Sequence, residues 1–180
     1  MAVPCATWSR ARRPGLGPPQ LRSDAYVMGF PDLRGASRRR VKMHNKILFR
    51  VAELVAECRE HAVHYCIENP DSSRFWLTRP MLKIAADSFV VQMDFCQYGE
   101  RWRKRTRLVT SCPALQQMER LCTSSGTYPN CSRTGKRHIQ LSGIDARTGA
   151  FKTMLACPYP KPMVRRAASL LADFFLVENG

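Results

Sequence analysis

The apolar positions of this chain change period several times, and each change marks an element. Between residues 44 and 60, Ile47, Leu48, Val51, Leu54, Val55 and Cys58 recur at intervals of three and four, which predicts an amphipathic helix. Met163, Val164, Ala167, Leu170, Leu171 and Phe174 do the same at 161–176 and predict a terminal helix. The short apolar run 62–67 predicts a strand that stops at Glu68-Asn69-Pro70, and 88–95 and 106–110 predict two more. Helices over 80–86 and 113–122 and a small hairpin of strands near 138–142 and 150–156 complete the regular elements. Residues 1–9 read as a strand end running into a loop. Residues 10–42 hold Pro, Gly, Ser and Arg without period and predict a long loop, and 123–138 predict another.

Strands alternating with helices predict an α/β fold with a partly parallel sheet. The organisation expected is a core over 1–110, with a loop at 4–43, and a small irregular α+β region over 111–180. In such sheets chemistry gathers past the carboxyl ends of strands. Cys5, Glu68 and the 97–107 run all fall just past predicted strand ends.

Charge sharpens the picture. The 180 residues carry 29 Lys and Arg against 14 Asp and Glu, a net charge of +15. Residues 1–50 alone hold eleven basic residues and two acids, Asp24 and Asp32. An excess of this size points to a polyanionic partner, nucleic acid, because each cation placed near a phosphate releases condensed counterions. No apolar run approaches the ~18 residues of a membrane span, so no membrane partner is expected. Eight cysteines at wide, irregular spacings, with no secretory segment at the start, fit a reduced intracellular protein better than a disulfide framework.

Three clusters carry chemistry. Pro4-Cys5-Ala6-Thr7-Trp8-Ser9 puts a cysteine on a loop followed by Arg10, Arg12 and Arg13, where positive charge favours a thiolate nucleophile. Glu68-Asn69-Pro70 ends an apolar strand with a carboxylate able to share a proton with a bound base. Tyr98-Gly99 precedes Arg103-Lys104-Arg105-Thr106-Arg107, in which Arg105 and Arg107 share one face of a strand, a pairing suited to phosphate or a base edge. A further set, Cys122-x8-Cys131-x6-His138 with Cys96 upstream, could form a CCCH zinc site. Cys112 is a competing ligand, and free cysteines with a solvated histidine are the alternative.

In this order, and at these intervals, Pro4-Cys5…Ser9, Leu48-Phe49, Glu68-Asn69 and Tyr98-Gly99…Arg105-Thr106-Arg107 resemble the cytosine-5 DNA methyltransferase family over roughly residues 2–110. Pro70 stands where that family has Val, and Arg103 stands near the family's Gln. The resemblance implies part of a Rossmann-like methyltransferase sheet and methyl transfer from S-adenosylmethionine to a flipped-out cytosine. It implies Cys5 as the thiolate adding to C6, Glu68 on the ring edge, Arg105 and Arg107 on base and phosphate, and Pro4 and Asn69 beside the cofactor. Ser9, Arg10, Arg12, Arg13, Arg38, Arg39, Arg40, Arg103 and Lys104 would contact DNA. The family's Gly-rich cofactor motif belongs upstream of Cys5, which only four residues precede here, so the expected chain is a catalytic fragment inactive alone. Two rivals stand beside it: a non-catalytic basic nucleic-acid-binding module, zinc-stabilised or not, and a degenerate mobile-element remnant.

Overall fold

The computed structural model describes residues 1–12, 18–125 and 130–178. It is mixed α/β, with helices α1 (Gly35–Glu60), α2 (Arg79–Ala86) and α3 (Lys161–Glu178) and strands β1 (Cys66–Pro70), β2 (Phe89–Asp94) and β3 (Arg105–Thr110). The strands form one sheet in the order β1-β3-β2. The sheet is antiparallel where the expectation was partly parallel. Tyr65 O, just before β1, accepts from Ser111 N, just after β3, and Phe95 N, just after β2, donates to Lys104 O, just before β3. A parallel pairing does exist, as a bridge between Ala2 and Glu68.

Two compact units divide the chain: Met1–Val90 with Arg107–Pro113, and Val91–Thr106 with Ala114–Gly180. The expectation divided the chain at residue 110; in this grouping residues 91–106 go with the second unit and 107–113 with the first.

The first unit is built on α1. Val41, His44, Leu48, Val51 and Val55 are its buried positions, spaced three and four apart as one helical stripe requires. The helix starts at Gly35, not 44, because the stripe continues back through Val41. From that stripe Leu48, Val51 and Val55 pack with Trp8, Ile67, Phe75, Trp76, Met81, Ile84 and Val109 into one core. Leu48 is fully enclosed there, a burial worth about 2–3 kcal/mol. Pro80 opens α2, where its missing N–H costs nothing. β1 alternates half-buried and buried positions from Cys66 to Pro70, so Glu68 and Asn69 lie within the strand rather than after it.

In the second unit, Asp94 N donates to Arg120 O at 2.8 Å and Arg120 N to Gln92 O at 3.3 Å, a parallel bridge between β2 and a stretch expected to be helical. The 113–122 helix shrinks to a 3-10 turn over Pro113–Met118, and the expected strand at 150–156 is a 3-10 turn over Lys152–Ala156. Of the expected hairpin an isolated bridge, Ile144 with Phe151, is present. α3 forms as expected, burying Met163 and Leu170, while Val164 stays exposed. No helix among the described residues is long and apolar enough to cross a membrane.

Candidate functional site

The first unit holds the Cys5 turn. Met1–Val3 lies against β1: Glu68 N donates to Met1 O at 2.9 Å and Val3 N to Glu68 O at 3.4 Å. Asn69, wholly enclosed, donates from Nδ2 to Val3 O at 2.8 Å and fastens the same pairing through its side chain. Two residues past Val3, Cys5 O accepts from Trp8 N and Ser9 N and closes a tight turn, leaving Cys5 half-buried and Pro4 exposed. The turn thus leaves the end of a segment paired in parallel with the strand that carries Glu68.

A buried polar hub underpins that turn. Arg22 is fully buried, with its guanidinium 3.4 Å from the centre of the Trp8 ring. It donates from Nε to Thr7 Oγ1 (3.1 Å) and from its terminal nitrogens to Val27 O (2.8 Å), Asn45 Oδ1 (2.9 Å) and Val41 O (3.4 Å). No carboxylate pairs with it among the described residues, and burial pulls its pKa down to about 10. Thr7 Oγ1, 2.9 Å from His44 Nδ1, accepts from Arg22 and has its own proton for the imidazole. Burial first, then the charges of Arg22, Arg40 and Arg12, hold His44 below its ordinary pKa, so the neutral ring that accepts this bond is the favoured one.

Around this hub the arginines separate by task. Arg12 donates to Ala6 O and Pro19 O; burial first, then the charge of Arg40, pulls its pKa down, and Cys5 works in the opposite sense. Arg10 and Arg74 share Asp24, at 2.7 and 3.0 Å. Ser9 Oγ accepts from Ala11 N. Arg13 lies outside the described residues. Arg38, Arg39 and Arg40, expected in a loop, lie on α1, exposed to solvent with Lys42 and Lys46. The helix extends that far because Val41 joins its buried stripe, and four-residue spacing aligns Arg38, Lys42 and Lys46 along one face. Arg107 is held by Asp71 at 2.7 Å and lies over the Trp76 ring.

The second unit brings together the other candidate set. Cys96, Cys122, Cys131 and His138 are all buried, and their ligand atoms lie within 4.8 Å of one another. A tetrahedral zinc with its usual bond lengths spaces sulfurs about 3.7 Å apart, so little contraction would be needed to close on an ion. Cys122 Sγ is 3.8 Å from His138 Nε2. The sulfurs are already hydrogen-bonded: Ser132 N and Oγ donate to Cys122 Sγ, and Gln97 Nε2 donates to Cys96 and Cys131. Burial, reinforced by the adjacent Cys122, pushes the Cys96 thiol up to about 12. Burial also opposes ionisation of Cys122, but hydrogen bonds from Ser124 and Ser132 outweigh it and bring that thiol to about 5. Cys112, the competing ligand, is buried in the first unit and is not a member of the group.

Beside this group sits Asp94, fully buried, which accepts from Cys122 N (2.8 Å), Arg103 Nε (3.2 Å) and Arg105 (2.9 Å). Lys104 donates to Ala156 O and lies over the Phe95 ring. Arg103, Lys104 and Arg105 therefore have partners inside their own unit. Arg105 and Arg107 share the half-buried side of β3, as alternation requires, yet each answers a different carboxylate. Sequence reasoning passed over Arg22, His44, Asp71 and Asp94. Of these only Asp94, an acid ending an apolar strand two residues before Cys96, carried any signal.

No family model, no curated protein and no solved structure matches this chain.

Proposed function

We propose that the first unit handles cytosine in DNA in the manner of the cytosine-5 DNA methyltransferases its motifs resemble. The observation that carries this reading is the pairing of Met1–Val3 with β1, which sets the Cys5 turn beside the strand bearing Glu68. The step assigned to the chain's own residues is reversible addition. The Cys5 thiolate forms a bond to C6 of a flipped-out cytosine, and the ring's C5–C6 electron pair is then available at C5. Glu68 hydrogen-bonds the ring edge and favours the protonated adduct. The exposed cations of α1 contact phosphate. S-adenosylmethionine would supply the methyl group, but the two positions assigned to it fit poorly: Asn69 is enclosed and tied to Val3, and Pro4 is a bare turn residue.

Addition alone has a signature. After C6 is attacked, C5 takes a deuteron from heavy water, loses its original proton, and expels the thiolate, returning cytosine labelled at C5. Mass spectrometry of nucleosides from DNA incubated with the protein in heavy water should show this label, and Cys5→Ser should remove it, whereas Cys58→Ser should not. Labelling that survives in Cys5→Ser, or none with the unaltered chain in large excess over DNA, would reject the assignment.

For the second unit the buried Cys3His group supports zinc as its metal, since soft sulfurs with one imidazole and a tetrahedral span suit that ion. Protein purified under reducing conditions should carry about one zinc per chain, lost in Cys131→Ala. If zinc and DNA binding are found while C5 labelling is absent, the chain is a zinc-stapled nucleic-acid-binding module without catalysis.

A further inference from the structure

A cleft of about 320 Å³ lies in the second unit, and none of its lining residues is among those assigned above to cytosine. Three of its seven lining residues are arginines, Arg120, Arg133 and Arg166, and none is acidic. The guanidiniums are already positioned. Arg133 donates from Nε to Cys96 O at 2.7 Å, Arg166 donates to Gln117 Oε1 at 3.2 Å, and Arg120 lies 5.4 Å over the Tyr98 ring. Arg166 Nε is buried and has no acceptor among the described residues. A buried charged donor left without an acceptor is costly, and three cations lining one cleft repel one another. An anion with several oxygens answers both, and a planar guanidinium fork matches phosphate. Fixing the side chains beforehand also lowers the entropy lost on binding.

We infer that this cleft is a phosphate-binding site for a nucleic-acid strand and that the Cys3His metal group holds it in shape. The second clause follows from the lining. Gln97 donates to the sulfurs of Cys96 and Cys131, and Arg133, two residues after Cys131, is anchored on the Cys96 carbonyl. Two walls of the cleft are thus neighbours of metal ligands. The cleft exceeds the space one inorganic phosphate occupies and sits at the small end of ligand pockets, which suits a phosphodiester with its sugars. The inference rests on the proposed metal and not on the cytosine reading, so Cys5→Ser leaves it untouched.

The test is fluorescence anisotropy with a labelled single-stranded oligodeoxynucleotide, titrated with the full chain over a range of salt. Arg120→Gln with Arg166→Gln should weaken binding about ten-fold at low salt and reduce the slope of log affinity on log salt by about 0.7 per arginine removed. Neither residue is a member of the Cys3His group, so zinc content should not change. Arg166→Lys, which keeps the charge but loses the fork, should fall between. Removing the metal with a chelator should weaken binding by at least as much as the double substitution. Unchanged affinity and slope in a folded double variant overturn the site. Unchanged binding after complete metal removal overturns the link to the metal. Inorganic phosphate displacing the strand at micromolar concentration would show a site for free phosphate and overturn the nucleic-acid assignment.

Discussion

Replacing Arg22 by Met is the sharpest test of how the Cys5 turn is held. Methionine retains much of the stem volume but no donor. Val41 O and Thr7 Oγ1 would lose a donor in fully buried surroundings, and Val27 O and Asn45 Oδ1 in partly buried ones. A buried acceptor stripped of its partner costs about 1–3 kcal/mol, and one near solvent about 0.5–1.5 kcal/mol because water replaces the donor. The stack on Trp8 adds roughly 2 kcal/mol when desolvated. Against these losses stands relief from enclosing a guanidinium without a carboxylate, itself several kcal/mol. The net expectation is about 3 kcal/mol of destabilisation, a fall in Tm of roughly 6–12 °C for a chain of this length. Arg22→Lys should lose nearly as much, since an ammonium cannot span acceptors arranged for a planar fork. Thermal unfolding followed by tryptophan fluorescence reads the effect, and cytosine labelling should fall with it because the turn loses its support. A Tm change below about 1 °C in either variant would mean that the guanidinium is not what organises residues 4–12.

Other positions give equally definite expectations. Gly29 has φ +115°, and a Cβ there would stand 2.6 Å from Val41 Cγ1, so Gly29→Ala should cost about 2 kcal/mol or more in denaturant unfolding; a neutral result would contradict the backbone placed there. Ser132→Ala removes the hydroxyl donor to Cys122 Sγ and should weaken zinc by about 10–100-fold in competition with a chromophoric chelator, an expectation that equal affinities would defeat. His44 resists protonation when folded, so the unfolded chain takes the proton first: stability should be level above pH about 6.5 and decline as pH drops below it. His44→Gln should flatten that decline, and an unaltered slope would assign it to another group.

The legible part of the fold was the part governed by period. The stripe from Leu48 to Val55 and the terminal helix follow from spacing, with Val164 the exposed exception, and the apolar runs located β2 and β3, while β1 starts four residues later than its run and continues through Glu68 and Asn69. The start of α1 was not legible, because Ser37-Arg38-Arg39-Arg40 looks like loop unless Val41 is known to be buried. Pro113–Met118 has helical spacing but closes only as a 3-10 turn, ahead of the bridge between Arg120 and Met93. Cys131 and His138, in the stretch expected to be loop, are buried beside Cys96 and Cys122, a grouping that no apolar pattern could announce. Its cysteine spacing matched no standard finger, and folding alone brings Cys96 to Cys122 and Cys131.

The same limit applies to charge. A net +15 suggests a surface covered with free cations, but many of the arginines are internal fasteners. Arg22 bridges carbonyls beneath Trp8, Arg74 reaches Asp24, Arg103 and Arg105 converge on buried Asp94, and Arg107 answers Asp71. Arg38, Arg39, Lys42 and Lys46 on α1 stand exposed, and no ion pair joins them to an acid among the described residues. Arg50, one turn further, meets Glu53 at 3.1 Å and Glu57 at 3.6 Å, which ends the uncompensated stretch. If this face meets a duplex, the salt dependence should count exposed cations rather than total charge. Replacing Arg38, Arg39 and Arg40 together by Gln should lower the slope by about 0.9 for each that contacts a phosphate, with little change in stability, because exposed helix positions tolerate Gln well. Replacing Arg103 and Arg105 should do the reverse, lowering stability by several kcal/mol through the stranded Asp94 carboxylate while leaving the slope nearly unchanged. Should the Arg103–Arg105 pair govern the slope and the α1 triad prove silent, the cations on α1 would not be the ones that meet DNA.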